Sequence, residues 1–389
     1  MTNPKKHTCQ GITWDHPRGY APLEALVPDL ESRFGLRIAW TRRSLREFGD
    51  TSVTDLARRF DLLIIDHPHC GQAARDGVLL PLDTLLTPSE WADISTDPVG
   101  PSLASYQLDG HLWALPIDAA MQSACLRPDL TRHFPETWTE VLAADLPFAI
   151  PLCPTDVFCC FLTLCAQAGI PADDEGRFLQ DLRLTEVLQL LRQVAKQAHP
   201  ASLDMNPIQL YEHMCQHDDI AYCPLAFCYV NYADRLRFGP IPGRRHALLG
   251  GAGLAISTRC PEPETAARAA AWLCAASCQS GPYLQHQGQP AHGQPWRSHT
   301  PFFHDLRDTL EHAFLRPRVP GWNPFQESAG ECLHAFLKTN TPCSDSQEIL
   351  RSLWHTHRPP KSDRLLARPD SKRFPNTSLC RGSRAGARV

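Results

Sequence analysis

The sequence predicts an α/β protein that opens on a doubly wound parallel sheet and is too long for a single core. Three observations lead there. Short β-prone runs alternate with amphipathic helical stretches over the first 65 residues, the pattern of parallel strands joined by crossover helices. The third run, residues 62–65, is wholly apolar (Leu62, Leu63, Ile64, Ile65), as suits a strand buried on both faces. The length of 389 residues suits two or three domains, or two lobes sharing one chain.

Taken in order, residues 11–14 read as the first strand. Leu23, Leu26, Val27, Leu30 and Phe34 then recur on one helical face, with Pro28 inside the pattern as a kink or delayed start and Gly35 placed to end it. Residues 36–40 form a second strand. Ser52 and Asp55 stand as in a capping box ahead of Val53, Leu56, Ala57 and Phe60, and the third strand follows. Asp109-Gly110 between β-prone arms reads as a hairpin turn. Val187, Leu188, Leu191, Val194 and Ala195 mark a long amphipathic helix, and residues 247–256 a glycine-interrupted strand. Pro261 and Pro263 open a helix that runs to about Cys278, and 302–316 and 327–357 read as further helices.

Composition excludes several classes. With 43% hydrophobic and 21% charged residues and a net charge of −4, the body is that of a soluble globular protein, not of a strongly basic nucleic-acid binder. The most apolar run, residues 158–166, is nine residues long, against the roughly 20 that a membrane-spanning helix needs. Residues 1–10 lack the apolar core of a signal peptide, which predicts a cytoplasmic protein. The sixteen cysteines are scattered through apolar segments without a CxxC pair or zinc-type spacing; they are expected to be reduced, buried hydrophobes, with no metal or cofactor. Residues 359–389 carry eight Lys/Arg against two Asp without apolar periodicity. The segment from about 358 onward is expected to be a basic, disordered tail.

Ligands of open parallel sheets bind beyond the carboxyl ends of the strands, where the connection order reverses. With strand order 2-1-3, the ends of the first and third strands bring Trp14, Asp15, His16, Pro17, Arg18, Gly19 and Tyr20 beside Asp66, His67 and Pro68. Two Asp-His-Pro tripeptides then face one another. Three readings stand side by side. In one, the loops line a small-molecule pocket: Trp14 and Tyr20 offer flat faces, Arg18 a donor fork for carboxylate or phosphate, and Asp15, His16, Asp66 and His67 polar selectivity. In another, the Asp/His pairs hold a divalent metal, although two adjacent dyads are not a known ligand spacing. In the third, the Asp side chains cap helices and the His residues lie in surface loops. A second group follows the hairpin, where Asp118 and Gln122 could point into a cleft and Trp113 suits core packing as well as ligand stacking.

Several further segments, in this order, resemble one family. They are residues 77–83; Tyr106 through Pro116, similar to a Y-x-x-D-G-x-x-W-A-L-P segment; Pro135 through Glu140, similar to a P-x-T-W-x-E helix start; 239–243 with 249–257; 288–291; and Arg316, Pro317 and Arg318 with Trp322. Over about 11–357 the chain resembles the extracellular solute-binding proteins of family 1, the sugar-type receptors of ATP-driven importers. The resemblance implies a type II periplasmic-binding-protein fold, two α/β lobes with a ligand cleft between them that closes on binding. It divides the chain into 1–117, 118–249, 250–312 and 313–357, alternating between the lobes, with crossings near 116–121 and 243–253. It also implies a periplasmic or extracellular, monomeric carbohydrate-binding protein that serves a transporter permease and performs no covalent chemistry. The implied grip sets Trp14, Asp15, His16, Arg18, Tyr20, Asp66 and His67 against Gln122 and Tyr229, with Asp118, Gly250 and Gly251 at the hinge. The first loop is unlike the family's usual sugar-binding loop, and Arg18 beside two His favours a carboxylate- or phosphate-bearing ligand. The alternative is an enzyme on the same scaffold, with His16 or His67 as general base and a neighbouring Asp as orienter; no G-x-S-x-G, P-loop or H-E-x-x-H accompanies it.

Overall fold

The computed structural model describes residues 7–243 and 245–358; the basic segment expected to be disordered lies outside the described residues. The described strands are β1 (His7–Trp14), β2 (Leu36–Arg43), β3 (Leu62–Ile65), β4 (Gln107–Leu108), β5 (His111–Leu112), β6 (Leu115–Leu126), β7 (Tyr222–Phe227), β8 (Arg237–Gly239) and β9 (Leu249–Ile256). β1 pairs in parallel with β2 from His7–Leu36 to Trp14–Arg43, and in parallel with β3 on its other side. This is the order 2-1-3 on which the juxtaposition of the two Asp-His-Pro turns is conditioned. All four residues of β3 are buried, which is why its side chains are apolar without alternation.

Local chemistry sets the connections. The stretch between β1 and β2 forms two helices, Pro17–Ala25 and Val27–Phe34, because Pro28 occupies the first turn of the second, where its missing N–H is not needed. Gly35 ends that helix in the left-handed conformation at φ 67. Asp109 and Gly110, at φ 53 and φ 79, make the two-residue turn between β4 and β5. Ser52 makes no capping hydrogen bond, so the capping box expected there is not formed. Ser44 and Glu47 form one instead, ahead of the helix Leu45–Asp50. That helix buries no side chain fully, so no apolar periodicity announces it.

β9 runs antiparallel to β3, and β6 antiparallel to β9, giving the sheet order β2-β1-β3-β9-β6-β7 with β8 also on β6. β6 is 12 residues long and buried throughout. Its first half pairs with β9 and its second half with β7 and β8. These two strands therefore pass between two separate cores. One core gathers Ile12, Leu30, Leu63, Leu254, Ala267 and Leu273; the other gathers Met121, Phe161, Leu188, Tyr211, Leu225 and Phe325.

The helix Pro301–Glu311 departs from the expected division. The division implied by the resemblance puts it in the first lobe, yet Phe302, Phe303, Leu306 and Leu310 belong to the second core. Aromatic packing draws it there: Phe302 meets Phe238 edge-on with centroids 5.1 Å apart, and Phe303 meets Trp296 at 5.0 Å. The first core receives its last residue at Tyr283. Beyond the helix, the chain touches the first lobe again. Arg318 donates from Nη1 to the carbonyls of Ala104 at 2.7 Å and Gln107 at 2.6 Å.

This assignment is checked by a double-mutant cycle in urea. Phe302→Ala is expected to cost about 3–5 kcal/mol and to couple with Phe238→Ala by more than about 0.5 kcal/mol. Strict additivity would place the helix elsewhere.

Candidate functional site

A cavity of about 280 Å³ lies between the two cores, enclosed by both lobes and the crossing strands. This is at the small end of the range for small-molecule sites. From the first lobe come Trp14 at the end of β1, Asp66 just beyond β3, and Phe48 and Gly49 from the helix Leu45–Asp50. The strands β6 and β9 supply Asp118, Ala120, Gly250 and Gly251. From the second lobe come Thr155, Asp156 and Cys159 in the first turns of the helix Pro154–Gln167, Asn206 and Gln209 at the start of Pro207–Gln216, and Phe227 and Tyr229. Arg316 and Gln326 complete the wall.

Seven of the twelve residues singled out from the sequence line this cavity: Trp14, Arg18, Asp66, Asp118, Tyr229, Gly250 and Gly251. The glycines are there for room. A side chain on Gly250 would stand 2.7 Å from the Phe227 ring, and Gly251, at φ 100, would press one onto the backbone of Asp118. Arg18 is buried at 3% exposure. It grips Asp118 with two N–H groups, Nε to Oδ2 at 2.8 Å and Nη2 to Oδ1, and donates from Nη1 to the carbonyl of Cys228 at 2.7 Å. Its guanidinium lies 4.4 Å from the centroid of the Tyr229 ring. The donor fork offered to an anionic ligand is thus already filled, and the pair as a whole is neutral. This corrects the preference for a carboxylate- or phosphate-bearing ligand.

The other five are placed elsewhere. Asp15 is exposed and 3.7 Å from Arg42. Tyr20 lies beneath the Arg42 guanidinium, 3.4 Å from its centroid. His16 is the N-cap of the helix Pro17–Ala25, its Nδ1 accepting from the Arg18 N–H at 3.2 Å, with its ring against Tyr229. Burial, with Arg18 beside it, pushes the imidazole down to about 3, so it is neutral. His67 is fully buried and accepts at Nε2 from the backbone N–H of Arg316 at 3.2 Å. Its proton therefore sits on Nδ1, 3.1 Å from Asp66 Oδ1. Burial pushes His67 down to about 4, although Asp66 acts in the other direction. Gln122 is buried in the second core, accepting from the Thr163 hydroxyl. The two Asp-His pairs do not jointly face the cavity, because each imidazole serves a backbone N–H. Among the described residues no group of three or more His, Cys, Asp or Glu is placed to hold a metal ion.

Asp66 is balanced by Arg316, which donates to its Oδ2 from Nη2, and accepts from the His67 N–H at 2.8 Å. Burial opposes its charge, but Arg316 and His67 hold it well below the usual carboxylate range. Asp156, missed by sequence reading, behaves oppositely. It is 8% exposed, and its Oδ2 accepts from the Cys153 thiol at 3.0 Å. Burial raises it to about 7 against that hydrogen bond, with Asp50 adding to the rise. Across the cavity mouth, the Thr155 hydroxyl lies 3.3 Å from Asp50 Oδ1, and Arg46 reaches Glu331 at 3.2 Å.

Two outcomes follow. Arg18→Ala strands the buried Asp118 charge and is expected to destabilise the chain by about 3–5 kcal/mol, whereas Arg18→Met with Asp118→Leu restores most of it. A melting curve with Arg18→Ala unchanged would remove the pair from the fold's support. For Asp156, the folded state holds its proton between an unfolded value near 3.9 and about 7, so stability falls as pH rises through that window. Asp156→Asn escapes this loss. Its stability relative to the parent should therefore rise, by up to about 1.4 kcal/mol per pH unit, and level off above that window; a constant difference would contradict the burial argument.

No protein-family model matches the chain, and no curated protein matches it. Solved structures do. Maltose-bound MalE3 of T. maritima superposes with a TM-score of 0.76 at 18% identity, covering 90% of this chain and 100% of that one. An ABC substrate-binding protein of Listeria monocytogenes in complex with cycloalternan gives 0.75 at 16% identity, covering 90% and 99%. An ABC transporter solute-binding protein of Thermotoga lettingae bound with α-D-tagatose gives 0.75 at 15%, covering 89% and 98%. The type II periplasmic-binding-protein architecture that the resemblance implied is therefore the fold of this chain, two α/β lobes with a cleft between them.

Proposed function

We propose that this chain is a solute-binding protein that captures a small polar molecule of the sugar or polyol class between its lobes and performs no chemistry on it. The observation that carries this reading is the cavity itself. It is lined by side chains from both lobes, and the strands β6 and β9 that join the lobes also form part of its wall. A molecule held there contacts both lobes only when they are together, so binding and closure are linked. The wall mixes aromatic faces (Trp14, Phe48, Phe227, Tyr229) with short polar groups (Thr155, Asn206, Gln209, Gln326). Such a surface suits the apolar faces and hydroxyl edges of a sugar.

The bound molecules named for the structural relatives, maltose, cycloalternan and tagatose, support the class. Their description as ABC binding proteins supports delivery to a membrane permease. Among the described residues no helix is long and apolar enough to cross a membrane. The enzyme reading loses its basis in His16 and His67, since neither imidazole lines the cavity and each spends a ring nitrogen on a backbone N–H.

Isothermal titration against maltose, D-tagatose, ribitol and D-mannitol tests the reading. Saturable one-site binding is expected with at least one of them, and Tyr229→Ala is expected to weaken it by at least about tenfold, roughly 1.4 kcal/mol. Turnover of a bound compound, or no binding across sugars and polyols, would overturn it.

A further inference from the structure

We infer that the captured solute carries an amino group, which Asp156 receives as an ammonium ion. This deepens the capture reading above and rests on it.

The inference comes from matching the charges in the wall one by one. Arg18 is committed to Asp118, and Arg316 to Asp66. Arg46 lies 3.6 Å from Asp50 and 3.2 Å from Glu331. Asp204, at the rim, lies 3.7 Å from Lys338. That leaves Asp156. Among the described residues, no Lys, Arg or His forms an ion pair with it, and its one described hydrogen-bond donor is the neutral thiol of Cys153. The side chain is more than nine-tenths buried and belongs to the cavity wall. A buried carboxylate without a cation is costly unless it is neutralised by a proton or by a charged guest. An ammonium ion on the solute supplies that charge and up to three donors to a carboxylate that only accepts.

The surroundings favour the cation over an anion. The charged group that acts on Asp156 is Asp50, itself raised to about 6 by burial and by Glu327, in spite of the Thr155 hydrogen bond and Arg46. Cys159 and Cys153 beside Asp156 are held as neutral thiols by burial. Tyr229 is likewise kept neutral by burial. The excess charge around this position is negative. Empty, Asp156 takes a proton near neutrality; an ammonium guest would displace that proton, so binding should weaken as the pH falls.

The test uses the full chain and matched probes: D-glucose with D-glucosamine, D-galactose with D-galactosamine, and D-glucitol with 1-amino-1-deoxy-D-glucitol, titrated near neutral pH and again about two units lower. The amino member of a binding pair should bind at least about tenfold tighter near neutrality, and the preference should shrink on acidification. Asp156→Asn should abolish the preference, and a circular-dichroism spectrum matching the parent's shows that the variant is folded. Equal or tighter binding of the neutral members, unaltered by Asp156→Asn, would overturn the ammonium inference and leave sugar capture standing. Failure of every probe, amino and neutral, would overturn both.

Discussion

A guanidinium taken out of water has to find its counter-charge inside the protein, and in this chain that requirement ties together three distant segments. Arg18 in the first loop, Asp118 on the first crossing strand and the carbonyl of Cys228 in the second lobe form one hydrogen-bonded unit. Neither member of the ion pair can leave the other without stranding a charge at low dielectric. The unit fixes the loop after β1 against the hinge, and that loop in turn places Trp14 in the wall and His16 under Tyr229. Gly19 belongs to the same arrangement, since a side chain there would run into the Trp14 indole. The first loop is therefore a structural joint that presents an aromatic face, and its cation is not available to the solute.

Around this joint the contacts differ in strength. Those near the hinge are buried: Arg18 with Asp118, and Arg316 with Asp66. The ion pair across the mouth, Arg46 with Glu331, involves a side chain that is 68% exposed. Exposed pairs of this kind contribute at most about 1 kcal/mol each. The mouth is thus lightly held while the hinge is tightly held. Motion between the lobes would open the mouth first, and a solute bridging Asp156 and the first-lobe aromatics would hold it shut.

Much of the scaffold could be read from the chain alone, because its signals are local. The continuous apolar run of β3, the left-handed Gly35 and the Asp109-Gly110 turn each follow from residues within a few positions. The site was legible where it coincides with strand ends: Trp14 and Asp66 are in the wall because β1 and β3 are neighbours. His16 and His67 sit at the same strand ends but turn away. Each accepts a backbone hydrogen bond, and for His67 the donor is 249 positions distant. Asp156 could not be found locally either. It stands among cysteines and phenylalanines in an apolar helix, where a lone acid in the first turn reads as a favourable helix-dipole residue. Its burial follows from the packing of distant segments around the start of that helix, and Leu45–Asp50, whose Asp50 meets Thr155 there, buries nothing that would mark it in the sequence. The helix Pro301–Glu311 changed lobes for a similar reason, since its partners Phe238 and Trp296 are known only from the fold.

On the proposed function, the two lobes close around a small molecule held between them. Small-angle X-ray scattering of the full chain, alone and saturated with the tightest-binding sugar, polyol or amino sugar, tests it most directly. Saturation is expected to shrink the radius of gyration measurably. An unchanged scattering profile at full occupancy, with the unliganded chain already open, would contradict it.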